Sequence, residues 1–276
     1  MRLGTIRRPN GTTAVRVDGD VAVEVGAGDL GALLADPAWY ARASDATGPS
    51  HPVDQVSFAP LVPVPRKIVC VGLNYADHIA EMGNEPPQFP TLFAKFASSL
   101  VGAFDDIVLP AVSDKVDWEA ELAVVIGAPV RHVSGADAEA AIAGYTVLND
   151  ISVRDYQRRT AQWLQGKTFD SSTPVGPWMV TRDESPGPSR RITCEVNGEL
   201  MQDSDTDQLV FDPVALVSYV STICALDPGD LISTGTPGGV GAGRDPQQFL
   251  DDGDQVVTRI AGVGECRNRA RAERLG

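Results

Sequence analysis

The stretch VDWEAELAVVIG, Val116–Gly127, runs from a charged opening into an apolar, β-branched tail. On a strand, successive side chains alternate between faces, which predicts Asp117, Glu119 and Glu121 on one face and Trp118, Ala120, Leu122, Val124 and Ile126 on the other. Residues two apart on one face lie about 6.5–7 Å from each other. Charged alternation is ordinarily a solvated strand face, but here the same face continues as Ala123 and Val125. Carboxylates at the mouth of an apolar strand repel one another unless a cation sits between them. Two of them with a third from elsewhere would make a hard-oxygen site for Mg2+, Mn2+ or Ca2+.

The surroundings of this strand are rich in strands and poor in helices. KIVCVG (Lys67–Gly72), LFAKF, DIVLP, YTVLNDISV and ITCEVNG are short apolar runs punctuated by Gly, Pro and Asp. Two helices are predicted among them. One starts at Ser134 as N-cap and runs through ADAEAAIAGY; the other has Asp212 as N-cap and Pro213 at its first position, and continues through VALVSYVSTICAL. The start of the chain, RLGTIRRPNGTTAVRVDGDVAVEV, has hairpin signals at Asn10-Gly11 and Asp18-Gly19. A short helix is expected at Leu30–Leu34, interrupted by Pro37, and a linker from about Ser44 to Pro65. This pattern predicts a β-rich α+β protein, with a small β-rich N-terminal domain and linker over residues 1–65 and a larger domain over residues 66–276.

The chain has 276 residues, 43% of them hydrophobic, which is enough for a substantial core. A net charge of −14 and a pI of about 4.6 argue against nucleic-acid binding. They leave room for a small anionic substrate whose charge is met locally. The N-terminus lacks the apolar run of a secretory signal and no segment is long enough to span a membrane, so a cytosolic location is expected. Cys70, Cys194, Cys224 and Cys266 form no CxxC and read as free core thiols. Three histidines make a His-rich zinc site improbable.

Other residues invite chemistry, each with an ordinary alternative. Asp150, in LNDISVRDYQ, ends an apolar run where either a ligand or a turn cap would sit. Lys167, in GKTFD, has no acidic neighbour until Asp170 and could be a surface lysine. His78 and Glu81, three apart in NYADHIAEM, would adjoin on a helix and could form an oriented general base or a plain surface pair. STGTPGGVGAG, Ser233–Gly243, turns sharply and could bring amides and the Thr236 hydroxyl to a ligand.

In their order, VGLNYADHIAEM, DWEAELAVVIG, NDISVRDYQ, GKTFD and STGTPGGVG resemble the fumarylacetoacetate hydrolase superfamily over about Lys67–Arg267. The resemblance implies a mixed β-roll catalytic domain, usually in a homodimer, with the first segment similar to the extra N-terminal domain of bacterial members. It implies Glu119, Glu121 and Asp150 as ligands of one divalent cation, Mg2+ or else Mn2+ or Ca2+. Water or substrate would complete the shell, since no aspartate aligns with the additional ligand of larger members. Asp117 matches no ligand position and is expected at the rim or behind the ligands. His78 and Glu81 match a catalytic dyad on a lid helix, Lys167 a catalytic lysine, and Arg154, Gln157 and Thr236 substrate contacts. The implied activity is metal-dependent hydrolysis of a C–C bond in acylpyruvate-type 2,4-dioxo acids. The alternative is a 2-hydroxyhepta-2,4-diene-1,7-dioate (hydroxymuconate-type) isomerase or an oxaloacetate decarboxylase or tautomerase. A non-catalytic binding module fits poorly, because every functional block is intact.

Overall fold

The computed structural model describes residues 1–76, 79, 85, 87–185, 187 and 189–274. Strand β10, Ala120–Ile126, is buried along its whole length. It lies between β11 (Ile142–Asn149) and β16 (Leu231–Ser233), antiparallel to both. A strand paired on both edges and covered on both faces reads apolar throughout, which explains why Ala123 and Val125 follow the charged residues. The expected alternation holds. Trp118, Ala120, Leu122, Val124 and Ile126 join one core cluster, and Ala123 and Val125 join another on the opposite side.

The large sheet has eleven strands. From one edge it runs β4 (Ser50–Pro52), β3 (Val21–Glu24), β2 (Gly11–Asp18), β1 (Arg2–Arg8), β13 (Thr173–Thr181), β11, β10, β16, β5 (Ile68–Gly72) and β6 (Thr91–Ala94), with β7 (Leu100–Gly102) pairing parallel to β13. The expected turns at Asn10-Gly11 and Asp18-Gly19 fall between β1 and β2 and between β2 and β3. Through the β1–β13 pairing, the N-terminal strands extend the same sheet that carries β10. A second sheet, β15 (Glu199–Asp205), β14 (Arg191–Val196), β17 (Gln255–Ile260), β18 (Gly264–Ala272) and β8 (Asp106–Leu109), packs across β10, β11 and β13. Two short strands, β9 (Val116–Asp117) and β12 (Ser152–Val153), pair beside the ends of β10 and β11. The result is a β-rich α+β architecture.

Helices α1 (Leu30–Leu34) and α2 (Trp39–Ser44) lie either side of Pro37; the second was not anticipated, nor were β4 and a 3-10 turn at Val53–Gln55 inside the expected linker. Helix α3 (Gly135–Ala140) stops earlier than its periodicity suggested, because Ile142 already pairs with Ile126. Ser134 occupies its N-cap position without a side-chain capping bond. Helix α6 (Pro213–Ile223) begins as expected, with the Asp212 carboxylate accepting from the Ala215 amide at 2.8 Å. Helices α4 (Arg154–Gln157) and α5 (Leu164–Lys167) are one turn each and pack together beside β12. No helix among the described residues is long and apolar enough to cross a membrane. Cys70, Cys194 and Cys266 are buried and Cys224 is half-buried, all as free thiols.

Candidate active site

The strand that opened the sequence reading is broken where its charges lie. Pairing in β9 ends at Asp117, and β10 pairing starts at Ala120. Between them the backbone is held by side chains. The Glu119 amide donates to Asn149 Oδ1 at 2.9 Å, and the Ala120 amide to Gln202 Oε1 at 2.9 Å. The Glu119 carbonyl accepts the Asp150 amide at 2.8 Å. Asn149 is fixed in turn by donating to Thr258 Oγ1 at 2.9 Å. The Asn-Asp dipeptide thus has two jobs: the asparagine registers Glu119, and the aspartate joins it.

Glu119, Glu121 and Asp150 are all buried, and one carboxylate oxygen of each lies within 4.8 Å of the others. Their cationic neighbours are specific. Lys167 Nζ lies 2.6 Å from Glu119 Oε2 and 2.9 Å from Asp150 Oδ2. Lys95 Nζ lies 2.6 Å from Asp150 Oδ1 and 3.1 Å from the Ile151 carbonyl. Arg154 Nη1 reaches Glu119 Oε1 at 2.6 Å and Gln157 Oε1 at 3.0 Å. Glu121 is different. Its Oε2 accepts from the Ser233 hydroxyl and from the Gly235 amide at 2.9 Å, both neutral donors. Burial first, then the Asp150 and Glu119 charges, push its carboxyl well above the usual range. Gly235 has φ +103, and a Cβ there would sit 2.9 Å from Asn74 Cβ, so only glycine delivers this amide.

Lys167 is not a surface lysine. Its side chain is buried, and although burial works against its charge, Asp150 and Glu119 outweigh that and hold its pKa above the ordinary lysine value. The preceding Gly166 explains how α5 comes so close. A Cβ there would lie 2.4 Å from the Gln157 amide nitrogen, so α4 and α5 touch backbone to backbone only with glycine at this point. Arg154 is held in the same way: burial opposes its charge, but Asp117 and Glu119 raise its pKa overall. Its Nη2 has no acceptor among the described residues.

Of the two places expected for Asp117, the structure gives the one behind the ligands: it is fully buried. Oδ1 accepts the amides of Trp118 (2.8 Å) and Gly241 (2.7 Å), while Oδ2 accepts the Ala242 amide (2.9 Å) and Arg154 Nε (2.7 Å). It therefore ties the Gly-rich segment to the arginine that holds Glu119.

Glu119, Glu121, Arg154, Gln157, Lys167 and Thr236 all border one cavity of about 140 Å3, with apolar walls from Phe93, Trp163 and Val240. Thr236 Oγ1 accepts from Gln202 Nε2 at 2.8 Å, which leaves its own hydrogen for a ligand. The expected dyad, His78 and Glu81, lies outside the described residues. Two contributors, Lys95 and Gln202, were not foreseen. Lys95 was read only as part of an apolar run, though its place between Phe93 and Phe96 was a signal. Gln202 carries no motif. Arg158 borders the cavity, is exposed, and forms no ion pair among the described residues.

An oxygen-only set of three converging carboxylates, one of them with no ion pair among the described residues, fits a hard divalent cation. Among the described residues, Lys95, Arg154 and Lys167 pair with Asp117, Glu119 and Asp150 and leave Glu121 without an ion pair. Burial and its acidic neighbours push Glu121 toward the protonated form, and a cation would reverse that push.

Residues 67–271 match the family described as fumarylacetoacetate (FAA) hydrolase C-terminal. The mitochondrial oxaloacetate tautomerase Fahd2a of Rattus norvegicus is 47% identical over 230 residues, covering 83% of this chain and 74% of the relative. Among solved structures, a 5-carboxymethyl-2-hydroxymuconate delta-isomerase from Mycobacterium smegmatis is 36% identical, with a TM-score of 0.83 over 100% of both chains. A fumarylacetoacetate hydrolase from Exiguobacterium antarcticum is 32% identical, with a TM-score of 0.89 over 99% of this chain and 100% of its own. The chain belongs to the fumarylacetoacetate hydrolase family.

Proposed function

We propose that this protein is a divalent-cation-dependent isomerase that interconverts enol and keto forms of a small 2-oxo diacid, with oxaloacetate as first candidate. The observation that carries the reading is the buried triad Glu119, Glu121 and Asp150, of which Glu119 and Glu121 border a cavity of about 140 Å3 together with Lys167, itself paired with Glu119 and Asp150. The relatives named as oxaloacetate tautomerases and the hydroxymuconate isomerase support this alternative over the acylpyruvate hydrolase that the sequence reading put first.

The cation would be held by Glu119, Glu121 and Asp150, and its part is that of a Lewis acid toward a 2-oxo group. Lys167, placed by Glu119 and Asp150, supplies a positive charge beside a developing enolate oxygen. Thr236 donates its hydroxyl to one substrate carboxylate, and Arg158, which forms no ion pair among the described residues, meets the distal one. Arg154 is engaged by Asp117 and Glu119, so we assign it to orienting Glu119, with only Nη2 left for substrate. The proton moves from the enol oxygen to the neighbouring carbon with no net gain or loss. His78, oriented by Glu81, is the proposed carrier, on the strength of the family resemblance.

The test follows the ultraviolet absorbance of enol-oxaloacetate with Mg2+-loaded wild type, Glu121→Gln and Lys167→Met proteins. Wild type should speed its loss and both variants should not. If neither oxaloacetate enol nor 5-carboxymethyl-2-hydroxymuconate reacts faster than with buffer, the reading fails. Release of pyruvate from an acylpyruvate would return the assignment to C–C hydrolysis.

A further inference from the structure

A second cavity, of about 560 Å3, lies behind the first. Leu122 borders it, whereas its chain neighbour Glu121 borders the active-site cavity, so the two spaces are separated by the thickness of β10. Leu122, Leu209, Pro213 and Val214 give it apolar walls. Arg190 gives it a charge. The residue is only 6% exposed, and its guanidinium carbon sits 4.8 Å from the centre of the Tyr145 ring. Nη2 donates to the Ser185 hydroxyl, Nε is enclosed without an acceptor, and Nη1 donates to none of the described residues.

No carboxylate among the described residues lies within ion-pair distance of Arg190. The acids that border the cavity are otherwise engaged. Glu139 pairs with Arg182 at 3.0 Å, Asp212 caps α6, and Asp207 accepts from Gln208 Nε2 at 2.9 Å. Buried charges are ordinarily paired, because the desolvation cost of an unpaired ion is several kcal/mol or more. The Tyr145 ring and the more distant charge of Asp205 offset part of that cost, but neither forms an ion pair with the guanidinium.

We propose that this cavity binds a small organic acid with an apolar body, its carboxylate taken by Arg190 and its body by the Leu122, Leu209 and Val214 walls. A carboxylate matches the planar donor fork of a guanidinium, and the apolar walls favour a ring or branched chain over a hydrophilic anion. An occupant would press on the back of the strand that presents Glu121.

Benzoate is the probe and benzamide its uncharged counterpart. In calorimetric titration of the Mg2+-loaded protein, wild type should bind benzoate at least about tenfold more tightly than benzamide. Arg190→Met should lose benzoate binding, and Lys167→Met, altered only at the first cavity, should keep it. Removing a buried charge that has no ion pair among the described residues should leave the Arg190→Met melting temperature at or above that of wild type, which separates lost binding from lost folding. Failure of wild type to bind benzoate at concentrations on the order of millimolar, or equal binding by Arg190→Met, overturns the proposal. So does a wild-type oligomer that dissociates in sedimentation when Arg190 is replaced, because the missing counter-charge would then belong to a second copy of the chain.

Discussion

Replacing Asp117 by asparagine keeps the volume and changes one oxygen into an NH2 group. All four hydrogen bonds to this carboxylate come from donors: the amides of Trp118, Gly241 and Ala242, and Arg154 Nε. Whichever way the new amide turns, its nitrogen faces two of them. The milder orientation keeps Ala242 and Arg154 bonded and abandons the Trp118 and Gly241 amides. Each buried donor left unsatisfied costs about 1–3 kcal/mol, so the pair costs on the order of 4 kcal/mol. At about 2–4 °C per kcal/mol for a chain approaching this size, the melting temperature should fall by roughly 10 °C. A second consequence is local. Arg154 loses the charge of Asp117 and leans on Glu119, so Mg2+ titrated calorimetrically should bind more weakly than to wild type. A melting temperature within about 2 °C of wild type, with Mg2+ affinity unchanged, would refute the reasoning that Asp117 is a saturated clamp.

Further outcomes follow from the same geometry. Lys167→Met removes the ammonium between Glu119 and Asp150, so Mg2+ should bind more tightly while turnover of the enol falls by about a hundredfold or more; weaker Mg2+ binding would contradict the ion pairing at the triad. Arg158→Gln should raise the KM for a diacid by about tenfold and leave that for a 2-oxo monoacid nearly unchanged; equal effects on both would remove Arg158 from substrate recognition. Lys67, just before β5, bridges Asp227 and Asp230 at 2.8 Å each. Burial lowers its pKa, but these two carboxylates more than offset that and raise it overall. Its contribution to stability is therefore complete below the ordinary lysine value of 10.5 and is lost as pH climbs through the raised one. The urea midpoint of Lys67→Met should lie below wild type at neutral pH and converge with it in strong alkali; a constant gap would show that the charge is not what matters.

The sequence carried the strands and the triad further than it carried the cations. Periodicity located β10 and the right partition of its side chains, because a fully paired strand leaves alternation as the only freedom. It could not show that pairing breaks between Asp117 and Ala120, since that break depends on the side chains of Asn149, from the neighbouring β11, and Gln202, from β15 of the second sheet. Glu119, Glu121 and Asp150 were legible as acids in apolar runs. Lys95 was equally conspicuous, between two phenylalanines, but a lysine has so many surface roles that its burial emerges only once β6 is placed beside β5. The early end of α3 has the same origin: helix propensity in ADAEAA was real, and sheet pairing at Ile142 overrode it. Asp117 shows the limit most clearly, because nothing local distinguishes a carboxylate at a rim from one saturated by four donors.

The contrast between Arg154 and Arg158 has a consequence for how such a protein can diverge. The two arginines are four residues apart, yet one is locked by carboxylates and the other borders the cavity with no ion pair among the described residues. The acidic centre is fastened to β9, β10 and β11 through backbone amides, so few of its members can change singly. Arg158 and Trp163, on the segment around α4 and α5, border the cavity as well; Trp163 packs edge-on against Phe93 of β6, whereas the Arg158 side chain is exposed. Selection on substrate shape can therefore act at one end while the proton chemistry at the other stays constant. That separation lets a single scaffold accommodate acids of different length and branching without rebuilding its reactive core.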